Sequence, residues 1–182
     1  MGPTPLRRGV ELSRNLMTVR LLLELGLQPV HDIAHELGIY QDMPLFFSMA
    51  LGAGETTPLS LTNAYAMIAN GGRRISPTFI DRIQDRHGAT IFRSDQRPCQ
   101  GCNNVAWSNQ AVPSVPDTRE QVIDPIAAYQ MTSILEGVVQ RGTAARLAQL
   151  HLPLAGKTGT TNDSFDAWFV GSAPGLTTGV WI

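Results

Sequence analysis

Ala155-Gly156-Lys157-Thr158-Gly159-Thr160-Thr161-Asn162-Asp163, near the C-terminal end, is the stretch on which the reading of this chain turns. Lys157 is the only lysine among the 14 Lys and Arg residues. Arginine serves everywhere else, so a compact charge with a movable pKa stands where a wide, permanently charged fork was not used. Glycine on both sides of Lys157-Thr158 lets a ligand lie against the backbone. Leu152-Pro153-Leu154 leads into this stretch as a strand. After a polar turn from Thr161 to Asp166, Ala167-Trp168-Phe169-Val170-Gly171-Ser172 and Leu176 to Ile182 read as two more strands, with Pro174-Gly175 as the hairpin between them. Taken alone, these residues fit a turn with a chance lysine as well as they fit a binding strand.

A phosphate-binding loop is the first rival, because Gly156-Lys157-Thr158 matches the end of G-x-x-x-x-G-K-[ST]. Its first glycine would fall on His151, Pro153 interrupts the loop, and no helix pattern follows Lys157. That reading fails.

Working outward, the rest of the chain is mainly helical. Leu16, Val19, Leu22 and Leu23 have helical spacing behind Asn15, a good N-cap, and Gly26 ends the run. A short helix is expected from Val30 to Leu37, and Phe46 to Leu51 reads as a buried segment before the turn at Gly52-Ala53-Gly54. Thr57-Pro58 and Asp124-Pro125 are cap-plus-proline starts. The first predicts a helix with Leu61, Ala64, Tyr65 and Ile68 inward, stopped at Asn70-Gly71-Gly72. The second predicts one with Ile126, Tyr129, Ile134, Val138 and Val139 inward, ending near Gly142, and Thr143 to Leu150 reads as one more. Ile75 to Arg86 and Ala89 to Arg93 predict a hairpin about His87-Gly88. Residues 94 to 121 read as a long loop. The expected fold class is α+β, with a largely antiparallel sheet flanked by helices.

Composition narrows the classes of function. The chain is 182 residues long and carries a net charge of -1, so nothing electrostatic points to nucleic acid or an anionic membrane as partner. No apolar run approaches the roughly 20 residues of a membrane-crossing helix, and the start lacks the pattern of a signal peptide. Cys99-Gln100-Gly101-Cys102 lies among loop formers, without the second cysteine pair that zinc would need. A small loop disulfide in an oxidising compartment is the reading that fits, although the residues alone leave the bond open. His31 and His35 have the spacing of a zinc-binding helix, but Asp32 replaces the glutamate and no third ligand is placed. No metal and no cofactor are expected.

Two polar clusters remain, Ser13-Arg14-Asn15 and Lys157 to Thr161. They correspond to the S-x-N and K-T-G elements of serine acyl-transfer enzymes. Longer strings strengthen the match. Ser13-Arg14-Asn15-Leu16-Met17-Thr18-Val19-Arg20, Leu51 to Leu59, Ala64 to Gly72, Met131 to Thr143, and Ala155 to Asp163 with Asp166 to Gly171 resemble, in order, the transpeptidase domain of class A penicillin-binding proteins. The resemblance runs from near residue 6 to residue 182, with only the 94–121 loop unmatched in detail.

The resemblance implies a β-lactamase/transpeptidase-like fold and a peptidoglycan DD-transpeptidase. In that family a serine attacks the D-Ala-D-Ala bond of a stem peptide, and the acyl group then passes to an amine on a neighbouring strand. Carried over to this sequence, Ser13 and Lys157 are the catalytic candidates. Ser13 would relay a proton to and from the amine, and Lys157 would direct charge at Ser13 and the substrate carboxylate. Asn15, Thr158, Gly159, Thr160 and Thr161 are the candidate substrate-binding residues. Asn15 would bond the substrate amide, Thr158 and Thr160 the carboxylate, and the Thr160 N–H would serve as an oxyanion donor. Gly159 would let the peptide lie along the strand. The implied partners are stem peptides and, for the full-length protein, β-lactams, with membrane attachment only through a segment outside this chain. The implied location is periplasmic, or the extracytoplasmic face of the inner membrane.

One departure stands out. No serine here has a lysine three residues later, because Lys157 is the only lysine and residue 154 is Leu. The retained motifs are undamaged, which favours a partial transpeptidase domain, incomplete at both ends, over a degenerate enzyme. On that reading the glycosyltransferase domain and membrane anchor also lie outside the chain, and the chain alone forms no acyl-enzyme. The alternative is a noncatalytic penicillin-recognition or sensor domain of the same fold.

Overall fold

Proline-led starts build the two longest helices. Thr57 Oγ1 accepts from the Ser60 N–H at 3.1 Å, and Asp124 Oδ1 accepts from the N–H groups of Ile126 and Ala127 at 2.9 and 3.0 Å. Each cap satisfies donors that the first turn leaves without a partner. The computed structural model describes residues 2–182 apart from 100, 101, 103–105, 107, 108, 110, 162 and 164. Its helices are α1 (Leu6–Glu11), α2 (Asn15–Leu25), α3 (Gln28–Glu36), α4 (Pro58–Ala69) and α5 (Pro125–Arg141), with short 3-10 helices at Phe47–Leu51 and Ala145–Leu150. The strands are β1 (Arg82–Gln84), β2 (Thr90–Arg93), β3 (Ala155–Thr160), β4 (Ala167–Ala173) and β5 (Leu176–Trp181). This is the α+β class with antiparallel sheets that the residue pattern predicts.

The chain divides into two units. The smaller, Ser76–Glu120, holds the β1–β2 hairpin and the Cys99–Cys102 disulfide, whose Cα atoms are 5.5 Å apart. Asp85 Oδ1 accepts from the N–H groups of His87 and Ala89 and closes the hairpin turn, where Gly88 takes φ +84°. The predicted first strand, Ile75 to Arg86, is reduced to Arg82–Gln84.

The larger unit combines the chain up to Ile75 with Gln121–Ile182. Its sheet has the order β3-β4-β5, so β3 is an edge strand. The register sets Lys157 beside Val170 and Gly179, and Thr158 beside Phe169 and Val180. Side chains alternate along a strand, so these two rows lie on opposite faces of the sheet. Helix α5 packs against β3, and α4 against β5. One buried cluster joins Val138, Val139 and Ala144 to Leu154 and Phe169; another joins Leu37, Ala64 and Met67 to Ile75 and Val122. Full burial of a side chain the size of Met67 or Val138 contributes about 1.5–3 kcal/mol.

Several local expectations need correction. Ile126 and Tyr129 are 67% and 74% exposed, whereas Val138 and Val139 are buried as expected, together with Ala128, Leu135 and Gly137. Leu45 through Phe47 and Leu51 are exposed as well, so the segment ahead of Gly52 is a surface 3-10 turn and not a buried run. Asn15 is the first residue of α2, with Arg14 at the cap position and no side-chain capping bond. The short helix expected from Thr143 to Leu150 is present as a 3-10 helix over Ala145–Leu150.

Candidate active site

The outer edge of β3 has a backbone reason to bind something. Thr161 N–H donates to the Asp166 carbonyl at 3.0 Å, while Ala167 and Ile182 exchange both of their backbone bonds at 2.8 and 3.0 Å. Ala167, the register partner of Thr160, thus spends its N–H and C=O on the other side. Antiparallel pairs alternate between bonded and non-bonded positions, so Thr158 and Thr160 turn their own N–H and C=O groups outward from the sheet. An extended peptide could add there as a further strand.

Opposite this edge stands the turn between α1 and α2. Ser13 N–H reaches the Val10 carbonyl at 3.1 Å, and Arg14 N–H reaches that of Gly9 at 2.8 Å. These bonds hold Ser13 at φ +52°, a left-handed conformation uncommon for serine. Such strain persists only where the surroundings over-determine it, and it gathers at functional sites. Here it presents the Ser13 hydroxyl to Lys157.

Lys157 Nζ donates to Ser13 Oγ at 2.8 Å and to the carbonyl of Thr158 at 2.8 Å. Its half-buried setting lowers the ammonium pKa below the ordinary lysine value, because desolvation disfavours the charged form. The structure therefore brings the S-x-N and K-T-G elements together across 144 residues of sequence. Asn15, exposed at the start of α2, lines with Ser13, Pro3, Thr4 and Arg20 a cleft of about 840 Å³.

The threonines differ in setting. The Thr158 hydroxyl shares a 2.8 Å hydrogen bond with the Thr143 hydroxyl. Thr160 is exposed at the end of β3. Thr161 Oγ1 accepts from the Asp166 N–H at 2.8 Å, so it braces the turn after the strand, and Trp181 Nε1 donates to Asp166 Oδ1 at 2.8 Å from β5. Gly159 is equally informative. A Cβ there would meet only the Trp168 Cβ at 3.5 Å, an ordinary contact, so packing does not require glycine. At Gly156, by contrast, a Cβ would lie 2.7 Å from Phe169 Cζ and 2.9 Å from the Val170 carbonyl.

His31 and His35 stack with ring centroids 6.3 Å apart, and no group of three metal-ligating side chains gathers among the described residues. Glu11, Arg141 and Thr143, which adjoin the site, went unremarked in the sequence. Their available signal was position: Glu11 stands two residues before Ser13, and Arg141-Gly142-Thr143 closes one of the family-like strings.

Residues 1–182 match the penicillin binding protein transpeptidase domain family, and the chain belongs to it. Penicillin-binding protein 1A of Rickettsia bellii is 44% identical over 184 residues, covering 100% of this chain and 23% of that protein. The protein of the same name from Neisseria gonorrhoeae is 40% identical over 183 residues, covering 100% of this chain and 21% of its own length. The chain thus spans about a quarter of the length of these relatives. Among solved structures, penicillin-binding protein 1A from Haemophilus influenzae superposes with a TM-score of 0.81 at 28% identity, covering 100% of this chain and 30% of that one. The D,D-transpeptidase domain of a peptidoglycan glycosyltransferase from Eggerthella lenta shares the fold, with a TM-score of 0.76 at 24% identity over 100% of this chain and 49% of that one.

Proposed function

We propose that this chain supplies the S-x-N and K-T-G half of a peptidoglycan DD-transpeptidase site, one that penicillin also acylates. The observation that carries the reading is the 2.8 Å contact of Lys157 Nζ with Ser13 Oγ beside the open edge of β3. The acylating serine belongs to an S-x-x-K pair, which these 182 residues do not contain.

A stem peptide ending in D-Ala-D-Ala lies along β3, with Asn15 bonding its amide. Its terminal carboxylate meets the Lys157 charge at the strand edge, with the Thr158 and Thr160 hydroxyls as its further proposed donors. The serine oxygen attacks the carbonyl of the penultimate D-Ala, the C–N bond breaks, and the serine's proton passes by way of the S-x-x-K lysine and Ser13 to the departing D-Ala amine. Lys157 supports that hand-over, since a hydroxyl both donates and accepts. The Thr160 N–H, turned outward, stabilises the tetrahedral oxyanion; loss of such a donor costs about 3–4 kcal/mol. A second strand's amine then attacks the ester, its proton returns to the serine oxygen by the same relay, and a cross-link and a free serine remain. The setting is the extracytoplasmic, periplasmic face of the inner membrane, with the anchor and glycosyltransferase domain in other segments of a bifunctional protein.

Fluorescent penicillin applied to the longer protein that carries the S-x-x-K pair tests this reading. The label is expected on that serine, with its rate reduced at least about 100-fold by Lys157→Ala. A label on any serine of residues 1–182, or an unchanged rate in Lys157→Ala, would overturn it.

A further inference from the structure

Glu11 is the one fully buried charged residue among those described, with no exposed side-chain surface. It sits at the end of α1, two residues before Ser13. Its carboxylate accepts from Arg141 Nη2 at 2.5 Å, from Arg141 Nε at 3.2 Å and from Arg8 Nη1 at 3.0 Å. Arg8 belongs to the same helix, whereas Arg141 reaches over from the last turn of α5. The fit is close: a Cβ at Gly137 would run into the carboxylate, and one at Gly142 would run into the Glu11 carbonyl. That carbonyl accepts from the Thr143 N–H at 3.1 Å. One turn earlier on α1, Arg7 Nη1 donates to the Ser133 carbonyl at 2.8 Å, so α1 is tied to α5 at two heights.

These contacts close a ring. From Glu11 the chain runs two residues to Ser13, which accepts from Lys157; the next residue, Thr158, shares its hydroxyl hydrogen bond with Thr143; and Thr143 N–H returns to Glu11. Lys157 and Thr158 point to opposite faces of β3, so the ring grips the strand from both sides. The carboxylate is wholly buried while Arg141 and Arg8 stay 46% and 42% exposed. An ion pair with a buried member seldom stabilises a fold more than apolar packing of the same volume, and its best-attested use is to fix one geometry.

We infer that Glu11, with Arg141 and Thr143, is a positioning residue for the Ser13–Lys157 pair: its clamped carboxylate fixes where the S-x-N turn stands relative to β3. The inference rests on the transpeptidase reading for its purpose, but its test does not. Lys157 is the only lysine, so selective 13C labelling of lysine yields a single Cε signal from the 182-residue chain, and its titration is read without any ligand.

Glu11→Gln keeps the volume and removes the charge, and Arg141→Gln removes the partner that crosses between helices. Both are expected to shift the Lys157 midpoint upward, toward that of a solvated lysine, while circular dichroism stays that of a folded chain. Arg8→Gln, which breaks a contact within α1 only, is expected to leave the midpoint in place. Exposed Thr143→Val tests the other arm of the ring and carries the experiment if Glu11→Gln does not fold; an upward shift is expected there too. An unmoved midpoint in folded Glu11→Gln, or in Thr143→Val, would overturn the inference, as would an Arg8→Gln shift equal to that of Arg141→Gln. Failure to bind a D-Ala-D-Ala peptide would count against the proposed function and leave this result standing.

Discussion

Lys157 Nζ stands 2.8 Å from Ser13 Oγ and 2.8 Å from the Thr158 carbonyl, so one ammonium joins the turn ahead of α2 to the open edge of β3. A neutral side chain in its place leaves the Ser13 hydroxyl without its donor and the strand edge without its charge. Ser13→Ala keeps the charge and removes the hydroxyl proposed as the proton relay. On the proposed function, Ser13→Ala in a protein that also carries the S-x-x-K pair is expected to slow acylation by penicillin about 10²–10⁴-fold, the usual worth of a positioned proton carrier. Stopped-flow measurement of the acylation rate checks this.

The half-buried ammonium also predicts a pH dependence. Desolvation sets the folded-state pKa of Lys157 below its unfolded value, so the unfolded chain binds more protons between the two. This group therefore opposes folding at pH values below its folded pKa, and the penalty fades as the pH rises to the ordinary lysine value. Urea midpoints across the alkaline range are expected to show this rise, and Lys157→Met to remove it.

Glu11 works in the opposite sense. Burial alone would raise its pKa, but the hydrogen bonds from Arg141 and Arg8 outweigh burial and bring it below the ordinary 4.5. Its contribution is present above pH 4.5 and is lost as the pH falls through the lower, folded value. Arg141 is 46% exposed and Arg8 still pairs with the carboxylate, so Arg141→Gln is expected to lower the urea midpoint at neutral pH and to cost less than the about 3–5 kcal/mol of breaking a wholly buried pair. The deficit is expected to narrow on acidification, as read from denaturation curves at pH 7 and pH 3.

The two glycines of β3 predict a contrast. Gly156→Ala forces a methyl against Phe169 and the Val170 carbonyl and is expected to cost about 1–3 kcal/mol. Gly159→Ala meets only an ordinary contact, so stability is expected to stay within about 0.5 kcal/mol of the parent while peptide binding falls. Thermal unfolding and calorimetric titration with a D-Ala-D-Ala peptide separate the two.

The parts of the fold that the sequence announced are those where one residue type has a local reason. Thr57 and Asp124 cap their helices as cap-plus-proline pairs should, and Pro174-Gly175 turns β4 into β5 with Gly175 at φ +80°. The pairing of Ser13 with Lys157 was readable because each lies in a long family-like string. What stayed hidden depends on neighbours distant in sequence. Ile126 and Tyr129 fit the same apolar helical face as Val138, yet α5 leaves them exposed and packs through Ala128 and Leu135 beside Val138. Glu11 sits in Arg8-Gly9-Val10-Glu11, which looks like any charged helix end until Arg141 and Gly137 arrive from α5. Thr143 and Thr158 carry no signal of their shared hydrogen bond, because two hydroxyls pair by geometry and not by type.

Titration of the 15N-labelled 182-residue chain with a peptide ending in D-Ala-D-Ala, followed by NMR, tests whether the Ser13–Lys157 pair and the open edge of β3 form one binding site. Saturable shifts are expected at Ser13, Asn15 and Lys157 to Thr160, abolished by Lys157→Ala, with no covalent adduct by mass spectrometry. Shifts confined to other parts of the chain, shifts that survive Lys157→Ala, or an adduct on one of its own serines would contradict it.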